Sequence, residues 1–383
     1  MRHPAFLIAA SFLAFACQSG SQTEANAATG EKPFDTTVMA DFDEPWAMTF
    51  VSGTPYVLIT EKKGKLLLWQ ADRPVREIKG VPQVAYGGQG GFGDVIMHGH
   101  EDVNGEFEIA FSWVEQGPGG YGAAVGLAKV DLSSDAPQLK DLRTIWKQSP
   151  KVDGRGHFGH RLAFSPDGKY LFISSGERQK FDPAQDMNAN LGKIVRLNAD
   201  GSVPTDNPFY DSAKPVQSQI WSLGHRNPLG IAFDAQGRLW NQEMGPEGGD
   251  ELNLIKKAAN YGYPKASNGR NYGASTDDIP DHKAGDGFEA PKVFWNPSIS
   301  PGGLMIYSGD LFKDWKGGAF LGGLGAKALV RVKLNGETAT KADQWDMGAR
   351  IREVEQGPDG AIWLLEDGNS GSKGRLLKLM PKK

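Results

Sequence analysis

The sequence contains a single cysteine, Cys17, among 383 residues. Disulfide frameworks, cysteine zinc sites, iron–sulfur clusters and thiol catalysis need cysteines in the folded body, so they are excluded. The chain also lacks a basic excess, because 42 Lys and Arg stand against 46 Asp and Glu, for a net charge of −4. Proteins that bind nucleic acid present a positive surface, so the sequence argues against nucleic acid as a partner.

Long hydrophobic runs are missing as well. Residues 7–16 form an uncharged, mostly apolar run of ten residues, and no other stretch approaches the roughly 18 that a membrane-spanning helix needs. This run follows the positive start Met1-Arg2-His3, so residues 1–16 are predicted to be an export signal peptide. Residues 17–32 are small and polar, which indicates a flexible tether.

Cys17 directly follows Ala16, an arrangement that resembles a bacterial lipoprotein box. A lipid on Cys17 would anchor the protein to a membrane as an outer-membrane lipoprotein. The alternative is an ordinary signal peptide cut after Ala16 or after Ala27, which would release a free protein. In both cases we expect an exported, periplasmic protein.

Glycine, by contrast, is abundant: 50 residues are glycine, about double the usual share of ~7%. Short runs rich in β-forming residues lie between these glycines, at 56–60, 65–69, 107–112, 170–175 and 362–365. No amphipathic helical pattern separates the runs, which favours an all-β protein.

One segment recurs along the chain. The best copies are residues 162–171, 231–240 and 354–363, and looser copies begin at Trp46, Gly93 and Gly303. Six copies over about 350 residues give a unit of roughly 58, which is a propeller blade with long loops. The sequence therefore predicts a single six-bladed β-propeller over residues 33–383, with residues 34–41 closing the ring in the last blade. A pair of β-sandwiches is the alternative.

The densest cluster of reactive residues spans 154–161, just before a repeat. It contains His157, whose side chain has an ordinary pKa suited to a general base near neutral pH. The glycines around it would let a substrate approach closely. By itself, a histidine in a glycine-rich loop is more often a solvated or structural residue.

A second cluster spans residues 221–228 and also precedes a repeat. Arg226 and Asn227 stand before Pro228, which presents a fixed cation and an amide suited to a carbonyl oxygen or an oxyanion. An arginine that bridges two blades is the structural alternative.

The third cluster, residues 241–253, combines turn carbonyls with four carboxylates within nine residues. Hard oxygen ligands of this kind suit calcium, although a solvated acidic turn is the alternative. Finally, Arg350 and Arg352 lie two residues apart, so a strand would place both guanidinium groups on one face, where they suit an anionic ligand.

The ordered set of clusters resembles the soluble PQQ-dependent aldose sugar dehydrogenases of the glucose/sorbosone dehydrogenase family. The resemblance runs from about Phe34 to Leu379. Besides the clusters above, it includes Pro45-Trp46, Thr60-Glu61, residues 88–95, Gln185-Asp186, residues 191–197, Pro204 with residues 206–209, and residues 260–262.

The resemblance implies the site residues and their roles. His157 would be the proton acceptor, and Arg226 with Asn227 would lie at the reactive carbonyl of the quinone. Gly245 and Pro246 would offer backbone carbonyls to the calcium ion that also binds PQQ. A second, structural calcium would use Glu251 and Tyr261. The rest of the cofactor pocket would comprise Gln89, Tyr272, Arg350 and Arg352.

Two positions depart from the family pattern. The family usually has Ala-Leu-Lys where this chain has Gly323-Leu324-Gly325, with Lys327 two residues further on. If the strand continues, Lys327 lies on the same face and substitutes for the missing lysine after a displacement of roughly 7 Å. The family also usually has a second glycine where this chain has His160, which would narrow the pocket or act as a second titrating group.

The resemblance implies oxidation of an aldose at its C1 hydroxyl to a lactone, with PQQ and calcium as cofactors. A further partner would be an external electron acceptor, a quinone or a cytochrome. A calcium-dependent lactonase or esterase is the alternative enzyme. A non-catalytic propeller that binds a sugar or a protein is a third reading, which Gly325 favours.

Overall fold

The computed structural model describes residues 31–99, 102–103, 105–273 and 278–382. Within these residues, six four-stranded antiparallel sheets follow one another along the chain, and their first strands contact each other in a closed ring. The fold is thus an all-β, six-bladed propeller, as predicted. The export signal at 1–16, Cys17 and most of the tether at 17–32 lie outside the described residues.

The first three blades cover residues 45–223. Blade 1 contains β2 (Pro45–Phe50), β3 (Val57–Glu61), β4 (Lys65–Trp69) and β5 (Arg76–Ile78). Blade 2 contains β6 (Phe92–His98), β7 (Phe107–Gly117), β8 (Gly120–Val130) and β9 (Leu139–Lys147). Blade 3 contains β10 (Gly159–Phe164), β11 (Tyr170–Ser175), β12 (Lys193–Asn198) and β13 (Ile220–Leu223).

The other three blades complete the ring. Blade 4 contains β14 (Pro228–Phe233), β15 (Leu239–Glu243), β17 (Asp250–Ile255) and β19 (Val293–Trp295), with a small extra sheet of β16 (Glu247–Gly248) and β18 (Gly269–Arg270). Blade 5 contains β20 (Pro301–Ile306), β21 (Ala319–Gly323), β22 (Ala328–Asn335) and β23 (Thr338–Asp346). Blade 6 contains β24 (Ile351–Gln356), β25 (Ile362–Glu366), β26 (Arg375–Pro381) and β1 (Phe34–Asp41).

The ring closes as predicted. Strand β1 pairs antiparallel with β26, from Phe34 opposite Pro381 to Asp41 opposite Arg375. The last blade therefore takes one strand from the start of the chain and three from its end. This pairing makes β1 the outer strand of blade 6 and ties the start of the chain to its end, which closes the ring.

Each copy of the sequence repeat contributes to the first strand of one blade. The turn that follows holds a glycine with a positive φ in the three best copies: 71° at Gly168, 75° at Gly237 and 80° at Gly360. A side chain is strained in this conformation, so the repeated glycine reflects the backbone that the turn requires.

The core is divided among the interfaces between blades. Six clusters of buried apolar side chains each span one pair of neighbouring blades. For example, Trp69 of blade 1 packs edge-on against Trp363 of blade 6, with 5.9 Å between ring centroids. Because burial of apolar surface stabilises both neighbours, the blades hold one another rigidly around the ring.

Helical structure is minor in the part of the chain that the structure describes. It consists of three short 3₁₀ helices, Asp182–Ala184, Gln217–Gln219 and Lys313–Trp315. No helix among the described residues is long and apolar enough to cross a membrane.

Candidate active site

Loops from several blades meet at one mouth of the ring and line two adjoining cavities. The first, here called the base cavity, has a volume of about 300 Å³ and is lined by residues that include His157, Glu177, Arg226, Gly245 and Tyr272. The second, here called the cationic cavity, has a volume of about 150 Å³ and is lined by residues that include Lys62, Arg350, Arg352 and Asp367. Gln89 and Met244 line both cavities, so the two are neighbours.

His157 forms a buried pair with Glu177. Its Nδ1 lies 2.5 Å from Glu177 Oε1, and the two residues are 5% and 0% exposed. The other carboxylate oxygen, Oε2, accepts the backbone N–H of Phe181 at 2.8 Å. Because Nδ1 is bonded to the carboxylate, Nε2 is the nitrogen left to exchange a proton with a ligand.

Burial sets the charge of this pair. It lowers the pKa of His157, and Arg226 lowers it further, while the bond to Glu177 opposes both effects. Burial would raise the pKa of Glu177, but its hydrogen bond to His157 and nearby positive charge outweigh burial and lower it. The imidazole is therefore neutral near pH 7 and the carboxylate is charged, as a general base requires.

Glu177 was not predicted from the sequence. It lies two residues after β11 and twenty residues after His157. The sequence did offer one signal, because Glu177 follows the apolar strand β11 closely and is therefore expected to be buried. A buried carboxylate usually has a hydrogen-bonding or charged partner, which a search for such a partner could have identified.

Gln89 reaches the same loop from blade 2. Its side-chain Oε1 accepts a hydrogen bond from the backbone N–H of His157 at 2.7 Å, and its backbone N–H donates to the carbonyl oxygen of Arg155 at 2.8 Å. Gln89 thus lines both cavities and also holds the backbone of the histidine in place.

Arg226 also lines the base cavity and is largely buried, and its carbonyl accepts the backbone N–H of Glu177 at 2.8 Å. Its Nη1 donates to Gly245 O at 2.6 Å and to Met244 O at 3.0 Å, while its backbone N–H donates to Glu243 Oε2 at 2.6 Å. Its Nε is buried and has no hydrogen-bond partner among the described residues. The arginine presents a fixed cation to the cavity.

Asn227 is expected to lie with Arg226 at the reactive carbonyl of the quinone. The residue is 0% exposed and is absent from the described residues that line the two cavities. Its Nδ2 lies 4.0 Å from Met244 Sδ, and its buried Oδ1 has no hydrogen-bond partner within the described ranges. The side chain of Asn227 thus contacts Met244, which lines both cavities.

The loop after β15 offers the carbonyls that were expected to bind calcium. Gly245 O accepts from Arg226, and Pro246 O accepts from Tyr272 Oη at 3.2 Å. Asp250 holds this loop, since its Oδ1 accepts Gly245 N at 2.9 Å and its Oδ2 accepts Ile299 N at 2.7 Å. A carbonyl oxygen has two lone pairs, so both carbonyls can accept a second partner.

Tyr272 is expected to border the cofactor, and it lines the base cavity from the solvent side. It is 70% exposed. Its ring lies 6.0 Å from the Arg226 guanidinium carbon. The tyrosine covers the arginine and the Pro246 carbonyl at the mouth.

A small cavity of about 10 Å³ behind this loop is lined by residues that include Glu243, Glu251 and Tyr261. Glu243 and Glu251 are direct partners across β15 and β17, and Asn253 Nδ2 donates to both, at 3.2 Å and 3.1 Å. Burial, together with repulsion from Glu243, raises the pKa of Glu251 well above its usual range. Two carboxyl groups in such a space fit a divalent cation, which would offset their repulsion.

The hydroxyl of Tyr261 is not available as a ligand, because it donates to Leu254 O at 2.5 Å. Only the backbone of Tyr261 remains for a metal. Among the described residues, no cluster of three or more His, Cys, Asp or Glu side chains could hold a metal ion. Both expected calcium sites therefore depend on backbone carbonyls.

Arg350 and Arg352 share one carboxylate at the cationic cavity. Arg350 Nε donates to Asp367 Oδ2 at 2.8 Å, and Arg352 donates to Asp367 Oδ1 at 2.8 Å from Nε and 2.6 Å from Nη2. The expectation that the two arginines point the same way is thus confirmed. Burial opposes ionisation of Asp367, but the arginines lower its pKa to about 2.

His160 narrows the cationic cavity and does not titrate near neutral pH. Its ring stacks on Trp46 with 5.0 Å between centroids, and its Nδ1 lies 2.8 Å from Ser112 Oγ. Burial and then Arg161 lower its pKa to about 3. This lowered pKa argues against the alternative in which His160 is a second titrating group.

The structural argument for Lys327 is also wrong. Strand β21 ends at Gly323, and residues 324–327 form a turn in which Lys327 has a φ of 53°. Gly325 and Lys327 therefore do not share a strand face. Lys327 is exposed, and the lining of the cationic cavity reaches Leu324 without including it.

Comparison with known proteins agrees with this geometry. The family model for glucose/sorbosone dehydrogenase matches residues 42–378. The chain belongs to this family. It is 40% identical to the aldose sugar dehydrogenase YliI of Escherichia coli over 348 residues, which cover 89% of this chain and 91% of that protein.

Solved structures of the family have the same fold. The soluble aldose sugar dehydrogenase of E. coli in its apo form superposes with a TM-score of 0.84 at 38% identity, over 91% of this chain and all of that one. The PQQ-bound aldose sugar dehydrogenase of Streptomyces coelicolor superposes with a TM-score of 0.72 at 25% identity, over 91% and 98% of the two chains. The protein is an oxidoreductase of the sugar dehydrogenase type.

Proposed function

We propose that this protein oxidises aldose sugars at the C1 hydroxyl to lactones, with PQQ as the redox cofactor and calcium as its metal. The observation that carries the proposal is the buried His157–Glu177 pair, which opens into a cavity adjoining one lined by Arg350 and Arg352. A base beside a cationic cavity suits a neutral substrate and an anionic cofactor. The PQQ-bound relative supports the choice of cofactor.

The described residues fit PQQ, which is a flat quinone with three carboxylates. Arg350 and Arg352 would hold carboxylates, Gln89 would border the ring system, and Arg226 would face the quinone oxygens. The unpartnered Nε of Arg226 and Oδ1 of Asn227 are consistent with a site built for an additional polar group. When bound, PQQ would accept the hydride that the sugar loses from C1.

His157 would supply the proton transfer. Its Nε2 would take the proton of the anomeric hydroxyl while the C1–H electron pair leaves as hydride, so that the C1–O bond becomes the carbonyl of the lactone. Glu177 would hold Nδ1 and stabilise the imidazolium that forms. Arg226, fixed by two backbone carbonyls, would stabilise negative charge that develops opposite the base.

Calcium would bind in two places. The carbonyls of Gly245 and Pro246 would hold one ion at the base cavity, and Glu251 with the backbone of Tyr261 would hold a structural ion. The raised pKa of Glu251 supports the second site, because a cation would relieve the cost of ionising a buried carboxyl beside Glu243.

The reaction also needs an external acceptor, because two electrons must leave the protein after each turnover. We propose a quinone or a cytochrome in this role. Export by residues 1–16 would place the protein in the periplasm, either free or anchored by a lipid on Cys17. Mass spectrometry of the mature N-terminus would decide between these two forms.

The proposal is tested by adding PQQ and calcium to the purified apo protein and following absorbance. We expect saturable binding, and reduction of the bound quinone when an aldose is added without oxygen. A protein that does not bind PQQ but hydrolyses lactones in calcium would be a hydrolase. A protein that does neither would be a binding propeller.

A further inference from the structure

Lys62 is an inward-facing lysine that the sequence motifs do not single out. It follows β3 directly, is 7% exposed and lines the cationic cavity together with Arg350 and Arg352. Its Nζ donates to Gly88 O at 3.2 Å. The neighbouring lysines differ, because the side chains of Lys63 and Lys65 are 46% and 54% exposed.

In the part of the chain that the structure describes, the ammonium group of Lys62 touches no carboxylate. Among the described residues, no carboxylate lies within 4.0 Å of its Nζ, whereas Lys63 lies 2.8 Å from Asp43 and Lys65 lies 3.8 Å from Glu61. Burial lowers the pKa of Lys62 and repulsion from Arg352 lowers it further, while the more distant charges of Glu44 and Asp367 only partly oppose both effects. A buried cation without a counter-ion is costly unless a ligand supplies the charge.

The charges around the cavity leave an excess of cations. Arg350 and Arg352 already share the single carboxylate of Asp367. Lys62 adds a third positive group to the same lining. Three cations and one anion leave a net positive charge, which suits a ligand that carries more than one carboxylate.

The backbone of Lys62 is held from two sides. Its N–H donates to Glu44 O at 3.0 Å, and its carbonyl accepts Phe92 N at 2.8 Å. A Cβ on Gly91 would lie 2.5 Å from Lys62 O, so only glycine allows this approach. The start of the lysine side chain is thus positioned before any ligand arrives, which reduces the entropy lost on binding.

We propose that Lys62 is a cofactor-binding residue whose ammonium group binds a carboxylate of PQQ, the role that the sequence led us to expect of Lys327. This inference rests on the proposed function. It assigns a lysine from blade 1 to a pocket whose arginines come from blade 6, so that PQQ would join the first and last blades of the ring.

The test is a titration of the apo protein with PQQ in excess calcium, followed by quenching of tryptophan fluorescence, since Trp46 lines the same cavity. Lys62→Met should weaken binding by about 30-fold or more, as expected for loss of one partner of a desolvated charge pair. Lys62→Arg should restore most of the affinity. Lys327→Ala and Lys63→Met are matched controls and should bind like the wild type.

A measurement on the wild type guards against a variant that does not fold. We expect PQQ to protect Lys62 from acetylation by an N-hydroxysuccinimide ester, while Lys327 reacts equally with and without PQQ, as read by peptide mass spectrometry. Unchanged acetylation of Lys62, or equal affinity of folded Lys62→Met and wild type, would overturn the role of Lys62 alone. No saturable binding of PQQ to the wild type would overturn the proposed function and this inference together.

Discussion

Glu177 Oε1 lies 2.5 Å from His157 Nδ1, and the same carboxylate binds the backbone N–H of Phe181 through Oε2 at 2.8 Å. One buried carboxylate thus fixes both the histidine ring and the loop after β11. The pair decides which imidazole nitrogen carries the proton, and therefore which nitrogen can act as a base.

His157→Ala tests the base directly. We expect kcat to fall by roughly 10²- to 10⁴-fold, the usual share of general-base catalysis. Binding of PQQ should stay nearly intact, because the cationic cavity does not include His157. Steady-state kinetics and a PQQ titration measure the two effects, and a parallel loss of binding and rate would show that His157 is structural.

Glu177→Gln should change the pH dependence of the reaction. Activity requires neutral His157, so kcat/KM should fall as the pH drops through its pKa, which burial places below the usual 6.5. Glu177 raises that pKa, so its removal should shift the acid midpoint to lower pH and reduce kcat, because a weaker base remains.

A matched control is His160→Gln. The pKa of His160 is about 3, so this change should leave the acid midpoint where it is. A midpoint that moves in His160→Gln but not in Glu177→Gln would contradict the assignment.

Chelation tests the structural calcium. Removing calcium should lower the melting temperature even without PQQ, because a ligand at 100 times its Kd stabilises the native state by about 2.7 kcal/mol. Glu251→Gln should abolish this calcium dependence, and it should not destabilise the chelated protein, because it removes a buried carboxyl whose pKa is raised. Differential scanning calorimetry with metal analysis measures both, and equal melting curves with and without calcium in the wild type would argue against the site.

Asp367→Asn should destabilise the protein at neutral pH. The arginines hold the pKa of Asp367 at about 2, below its ordinary value of 3.8. At pH values above 3.8, the ionised carboxylate therefore contributes about 2 kcal/mol to the free energy of unfolding. This contribution is lost as the pH falls from about 3.8 to about 2, because the unfolded state takes up the proton first and the folded state does so only near its own lower pKa. Urea unfolding should show a wild-type advantage at pH 7 that shrinks in acid, and a difference independent of pH would contradict the ion pairs.

Much of the fold followed from local patterns. Alternation of apolar residues and turn glycines such as Gly168 act over a few neighbouring residues, so six copies of the repeat were enough to predict six blades. The pairing of Phe34–Asp41 with the last blade was predictable for a different reason. A propeller ring is closed when a strand from the start of the chain completes the blade formed by its end.

The members of the site were predictable only in part. Glycine-rich loops before the repeats pointed to His157 and Arg226, and spacing of two residues was enough to orient Arg350 and Arg352 on one face. The same rule failed for Lys327, because it holds only while the strand continues and β21 ends at Gly323.

Tertiary structure alone decided the partners. Glu177 reaches His157 across twenty residues, and Lys62 reaches the arginines across most of the chain, because the ring brings blade 6 back beside blade 1. A pattern of neighbouring residues in the sequence carries no information about contacts between such distant positions. The sequence determined the blades and their turns through short-range physics, while the charge and pairing of the cavity side chains depended on which loops the closed ring places together.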